Sequence, residues 1–254
     1  MTTTRRILGA LAALMVAAGA NAQPAPPRTA DVSIVLVHGA LIDGSSWRGV
    51  YDLLTRDGYR VSIVQQPLTG LDEDVAATRR VLEQQDGPVI LVGHSYGGSI
   101  ITVAGSDPRV KALVYVAALQ PDVGETSGEV APPMPPASKD LKPTADGFVF
   151  LDPAKFAADF GADLPKAQAE FMARSQMPVA GAAFSVRLTV AAWRDKPSYA
   201  IIATEDRALD PEIARRMATR AGSKVTLVKA SHAVHISHPR EVARVIEAAA
   251  RAVK

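Results

Sequence analysis

Ser33-Ile34-Val35-Leu36-Val37 is a continuous β-branched run, and further short strands are read at 61–64, 89–92, 112–117, 199–203 and 225–228. Continuous runs of this kind belong to strands buried on both faces. Helical patterns lie between them. Trp47, Val50, Tyr51 and Leu54 recur at helical spacing, with Ser45 or Ser46 as the N-cap. Asp72, Glu73 and Asp74 open the next helix, where the helix dipole favours anions. A third helix is read at 98–106. Asp210-Pro211-Glu212 is a helix start, with an N-cap, a proline at the first position and an acid in the first turn; Gly222 closes that helix. Pro239 starts the last helix, with Val242, Val245, Ile246 and Ala249 on one face. Strands alternating with helices imply a mainly parallel sheet covered on both sides.

The chain has 254 residues, enough for one large domain or two small ones at about 150 residues each. Its 48% apolar and 21% charged content is that of a globular protein, which excludes a disordered chain. The formal charge is +2 and no long basic run occurs, so nucleic acid is not an expected partner. Cysteine is absent, which excludes disulfides, thiolate nucleophiles, iron–sulfur clusters and cysteine-based zinc sites.

Residues 1–22 read as a secretory signal. Arg5 and Arg6 form the positive start, 7–18 is apolar, and Ala20-Asn21-Ala22 offers small residues before a cut at Gln23. The apolar run is shorter than the roughly 20 residues a spanning helix needs, so no stable membrane insertion is expected after cleavage. An uncleaved N-terminal anchor is the alternative. Thr4-Arg5-Arg6-Ile7-Leu8 also carries a weak twin-arginine pattern. Residues 23–30, with three prolines, read as a flexible leader, and 31–254 as the folded domain.

Residues 119–193 interrupt the strand–helix rhythm. Nine of the 18 prolines fall between positions 121 and 178, and all six phenylalanines between 148 and 184. The segment therefore reads as irregular at first, then helical and aromatic. It is too long for an ordinary loop, and such insertions are often lids. A disordered proline-rich insert is the alternative, against which the phenylalanine content argues.

Gly93-His94-Ser95-Tyr96-Gly97-Gly98 sits directly after a strand and directly before a helix. That is the context in which G-x-S-x-G makes a sharp turn presenting a nucleophilic serine. A glycine-rich turn with a solvated serine is the plain alternative. The serine needs a histidine base, and three of the five histidines cluster near the C-terminus. His232 follows the last strand by a short loop; His235 is the alternative. A metal site formed by His232, His235 and His238 finds no acidic partner nearby in sequence. Asp206, after the fifth strand, is the candidate acid, with Glu205 and Asp122 as alternatives. The amides of Tyr96 and Ala40 are the candidate oxyanion donors. His38 is read as a structural hydrogen-bonder and His94 as local packing and hydrogen bonding.

The motifs Val35-Leu36-Val37-His38-Gly39-Ala40 and Gly93-His94-Ser95-Tyr96-Gly97-Gly98, with the Asp206 and His232 loops, resemble the α/β-hydrolase superfamily over almost all of the chain after the signal. Within it the chain resembles the small esterase group of plant methylesterases, hydroxynitrile lyases and their bacterial relatives. The resemblance implies the α/β-hydrolase fold, a cap after the fourth strand, a Ser95–Asp206–His232 triad and no cofactor or metal. Gly39 stands where the lyase branch carries threonine, and Ala233 where it carries lysine, so ester hydrolysis is implied over cyanohydrin cleavage. Serine at 95 argues against epoxide hydrolase and dehalogenase chemistry, which use aspartate there. The expected protein is an exported, periplasmic or secreted carboxylesterase acting on small-molecule esters. A cofactor-free perhydrolase or lactonase with the same triad, and a non-catalytic ligand-binding protein on this scaffold, are the alternatives.

The export reading has a direct check. Mass spectrometry of protein recovered from its natural host is expected to find an N-terminus at Gln23, free or cyclised, and an intact Met1 would refute it.

Overall fold

The computed structural model describes residues 31–132 and 137–253, so the signal and leader read at 1–30 lie outside it. The chain begins with β1 (Ser33–Val37), a single turn at Gly44–Trp47 and α1 (Arg48–Arg56). It continues through β2 (Arg60–Val64), α2 (Leu71–Glu83), β3 (Val89–His94), α3 (Gly97–Ala104) and β4 (Val110–Val116). The insertion follows, with α4 (Ser127–Val130), α5 (Ala137–Asp140), β5 (Leu141–Pro143), β6 (Phe148–Leu151), α6 (Phe156–Asp159), α7 (Lys166–Arg174) and β7 (Val179–Ala180). The main sheet resumes with β8 (Ser198–Ala203), α8 (Pro211–Arg220) and β9 (Lys224–Val228), and the chain closes with α9 (Val234–Ser237) and α10 (Pro239–Ala252).

The six long strands form one sheet in the order β2-β1-β3-β4-β8-β9, with every neighbouring pair parallel. Alternate side chains feed two cores, as the two-residue period of a strand requires. Val35, Val37, Leu91 and Leu113 join Val75, Ile100 and Ile101 of α2 and α3 on one face. Ile34, Leu36, Ile90 and Val114 join Val50 and Leu54 of α1 and Val242, Ile246 and Ala249 of α10 on the other. The outermost strand departs from the buried pattern: Val225 is 41% and Leu227 50% exposed. β9 has only β8 beside it, so its outer side lacks a neighbour.

Two local expectations change. Asp43, not Ser45 or Ser46, caps the Gly44–Trp47 turn by accepting from the Ser45 amide, and α1 starts only at Arg48. The insertion is not simply irregular and then helical, because β5, β6 and β7 form a small antiparallel sheet. Phe148-Val149-Phe150-Leu151 returns along 141–143 after a turn in which Gly147 has φ +88 and Thr144 Oγ accepts from the Phe148 amide. Asp-Gly before an apolar run is a hairpin signal, and here the surrounding prolines obscured it.

β1 pairs with β2 on one side and β3 on the other, so strand addition changes direction between β2 and β3. In open α/β sheets ligands bind at such a switch point, outside the carboxyl ends of the strands. The loop after β1 and the turn after β3 meet there in backbone-to-backbone contact. A Cβ on Gly97 would lie 2.7 Å from the His38 carbonyl oxygen, and one on Gly98 only 2.0 Å from that of Leu119. Gly98→Ala is therefore expected to cost about 3 kcal/mol, read as a lowered urea midpoint, because overpacking against backbone has little room to relax.

Candidate active site

Ser95 lies between the end of β3 and the start of α3 with φ +53, a left-handed conformation that non-glycine residues seldom adopt. Its surroundings hold it there. The Ser95 amide donates to the Val116 carbonyl at 3.2 Å, and its carbonyl accepts from the amides of Gly98 at 2.9 Å and Leu119 at 3.0 Å. The bend lifts the Ser95 side chain out of the sheet's carboxyl edge. The first turn of α3 starts immediately after it.

The structure brings Ser95, His232 and Asp206 together from three separate loops. His232 Nε2 is 2.8 Å from Ser95 Oγ, and His232 Nδ1 is 2.7 Å from Asp206 Oδ2. With a carboxylate on one side, the neutral imidazole places its proton on Nδ1, so Nε2 accepts from the Ser95 hydroxyl. The other oxygen of Asp206 accepts from the amides of Ala208 at 2.8 Å and Leu209 at 2.9 Å. Those bonds orient Oδ2 toward the ring. Ala40 and Ser95 line the same cavity, and Tyr96 directly follows the serine.

The alternatives raised by the sequence sit elsewhere. His235 is fully buried, with its ring centroid 4.1 Å from that of His94 and 4.7 Å from that of Trp47; neither of its nitrogens has a protein hydrogen-bond partner. Burial pulls its pKa down to about 3, so it stays neutral. Glu205 lies 3.6 Å from Lys229 at the surface, and Asp122 is held by Arg194 at 2.7 Å. His38 donates from Nδ1 to the Gly39 carbonyl at 2.8 Å and accepts from the Gln66 amide at Nε2, a structural arrangement; burial lowers its pKa. Among the described residues no group of three or more His, Cys, Asp or Glu could hold a metal ion.

Four residues near the serine and the histidine have partners that the sequence did not reveal. His94 Nε2 donates to the His232 carbonyl at 2.9 Å, and burial first, then the neighbouring histidines, hold its pKa well below the usual value. The hydrogen bonding read for this position is thus made to the loop after β9. Phe160 of the insertion meets the His232 ring edge-on at 5.0 Å between centroids, and its carbonyl accepts from the Ala233 amide at 3.1 Å. Asp163 accepts from the Ser231 amide at 3.2 Å and from the Ser231 hydroxyl. Burial pushes the Asp163 carboxyl up, but the bonds from Ser231 and Ser237 outweigh it and leave the group below the usual range. A fourth, Asp74 of α2, accepts from the Tyr96 hydroxyl at 2.9 Å and the Leu68 amide at 2.8 Å. Burial still raises its pKa to about 6.

Beside Ser95 opens a cavity of about 190 Å³. Its walls are Ala40, Leu41, Leu119, Gly128, Ala131, Leu141, Leu151, Phe160, Phe184, Ala208 and Leu209, and among the described residues its only polar side chains are those of Ser95 and His232. The insertion supplies much of this lining. Of its phenylalanines, Phe156 is buried in the insertion's own core, Phe160 and Phe184 reach the cavity, and Phe171 is 71% exposed, doing neither. At 39, a Cβ would lie 2.8 Å from Ser95 Cβ and 2.9 Å from His94 Nδ1, and Ala233 is fully buried.

A model of the alpha/beta hydrolase family matches residues 34–245. A pyrethroid hydrolase of Sphingobium wenxiniae is 27% identical over 251 residues, covering 84% of this chain and 85% of its own. Methylesterase 8 of Arabidopsis thaliana is 30% identical over 103 residues, 35% of this chain and 38% of its own. The solved structure of a pyrethroid hydrolase superposes with a TM-score of 0.77 at 24% identity, covering 87% of this chain and 98% of that one.

The contacts of Asp163 generate a test that needs no substrate. Asp163→Ala is expected to leave the circular dichroism spectrum intact while the Ser231 amide exchanges about tenfold faster by hydrogen-exchange NMR, because its charge-assisted acceptor is gone. Unchanged protection there would show that Asp163 does not hold this loop.

Proposed function

The chain belongs to the alpha/beta hydrolase family, and from that premise we propose that it is an exported carboxylesterase for small to medium, uncharged, hydrophobic or aromatic esters. The observation that carries the reading is the continuous hydrogen-bonded path from Asp206 through His232 to Ser95, ending at an apolar cavity. His232 Nε2 takes the hydroxyl proton as Ser95 Oγ attacks the ester carbonyl carbon. The Tyr96 and Ala40 amides receive the developing oxyanion. Asp206 stabilises the imidazolium and keeps the proton on Nδ1. The imidazolium then protonates the leaving alkoxide as the carbonyl reforms, giving an acyl-Ser95 and a free alcohol. Water, deprotonated by His232, repeats the sequence and releases the acid, so one hard step becomes two easier ones.

Two similarities support ester chemistry: a curated relative is named a methylesterase and another a pyrethroid hydrolase. The crowding at position 39 supports it over cyanohydrin cleavage, since a threonine Cβ there would press on Ser95 and His94. The near-absence of polar lining favours uncharged substrates, because a charged group would lose its hydration without a partner. Graded selectivity is expected, since each methylene contributes about 1–3 kcal/mol.

Ser95→Ala is expected to lower kcat on an activated aryl ester by about 10⁴-fold or more with the fold intact, and His232→Ala by a comparable factor, because the pair acts as a unit. Stopped assays on the purified variants measure this. Full activity in Ser95→Ala would refute the mechanism, and a strong preference for charged short-chain acids across an ester panel would refute the substrate class.

A further inference from the structure

A second cavity, of about 400 Å³, lies on the other side of Leu41 from Ser95. Leu41 is the one residue that lines both cavities. It directly follows Ala40, a proposed oxyanion donor, and it is held at φ +68. Its carbonyl accepts from the Met177 amide of the insertion at 3.3 Å, and its side chain packs against both the main core and the insertion's core. A strained, half-buried leucine therefore forms the partition.

The outer cavity runs between the Gly44–Trp47 turn and α7. Its apolar side chains are Ile42, Phe171, Met172 and Ile236. Phe171 is 71% exposed, the largest exposure among the big apolar side chains described, and it faces this cavity and not the core that Ala169 and Ala173 enter from the same helix. The charges at the rim are already engaged: Asp43 caps the Ser45 amide at 2.7 Å and Arg48 pairs with Asp52 at 2.8 Å. Ser45, Ser46, Gln168 and Ser175 add uncharged polar groups to the rim.

We propose that this outer cavity is a second subsite, which takes the distal part of an elongated, uncharged ester whose carbonyl sits at Ser95, with Leu41 as the wall the substrate passes. The proposal rests on the esterase reading. Its occupant follows from adjacency: Leu41 next to the Ala40 amide borders both cavities, and Phe171 lies on the outer one. An apolar chain covers Phe171, Met172 and Ile236, and an uncharged polar end group finds Ser45 and Gln168. The short inner cavity alone would make chain length beyond its walls irrelevant. The outer subsite makes length a determinant of rate.

The test uses two series on the purified protein, 4-nitrophenyl alkanoates from acetate to dodecanoate and alkyl acetates from methyl to dodecyl. It reads the ratio of kcat/KM for the longest to the shortest member. Phe171→Ser is expected to lower that ratio about tenfold in at least one series, and Leu41→Ala to raise it in the same series, as a wall is removed. Phe171 is exposed, so its variant tests the proposal even where Leu41→Ala fails to fold. An unchanged ratio in both series for Phe171→Ser overturns the subsite. Failure of the esterase reading is separate: it appears as hydrolysis of 4-nitrophenyl acetate that survives Ser95→Ala.

Discussion

A serine held at φ +53 where β3 gives way to α3 depends on backbone approaching backbone with no side chain between. Gly93 lies against Gly97, Gly97 against the loop after β1, and Gly98 against the chain leaving β4, each closer than a Cβ would permit. Such strain persists only where the surroundings over-determine it. Here the parallel pairing of β3 with β1 and β4 supplies that surrounding, so the sheet's switch point and the serine turn are one construction. The same closeness brings the Ala40 loop to Ser95 and removes any room at Gly39.

The polar groups behind the serine follow from burial. His94, His235 and Trp47 pack together, edge-on or tilted, in an enclosed space where a charged imidazole would lose its hydration, so both histidines stay neutral. His232 differs in having a carboxylate partner 2.7 Å from Nδ1 and a hydroxyl 2.8 Å from Nε2. His232 and His235, three positions apart in sequence, thus acquire different chemistry from their neighbours alone. His94 contributes by fixing the His232 carbonyl, which ties the turn after β3 to the loop after β9.

The insertion does two things at once. Its Leu141, Leu151, Phe160 and Phe184 line the cavity, and its 160–163 turn grips Ser231 and Ala233 on either side of His232. The part that shapes the substrate space also sets the position of the histidine. A change in this segment is therefore felt in rate as well as in specificity.

Patterns short enough to be local were legible in the sequence. Unbroken β-branched runs marked the strands, a glycine-flanked serine between strand and helix marked the turn at 95, and Asp210-Pro211-Glu212 marked a cap that forms as read, with Asp210 accepting from the Glu212 amide. The Asp146-Gly147 hairpin was equally local and was hidden by the prolines around it. Which histidine faces the serine was narrowed by loop position, yet only packing separates His232 from His235, since three residues of a short helical turn point them into different surroundings. Strand order, the grip of Asp163 on Ser231 across 68 positions, and the partition at Leu41 belong to the tertiary structure. Residue spacing reports the neighbours a chain makes within a turn or two, while contacts between distant segments are chosen by how the whole sheet closes its two cores.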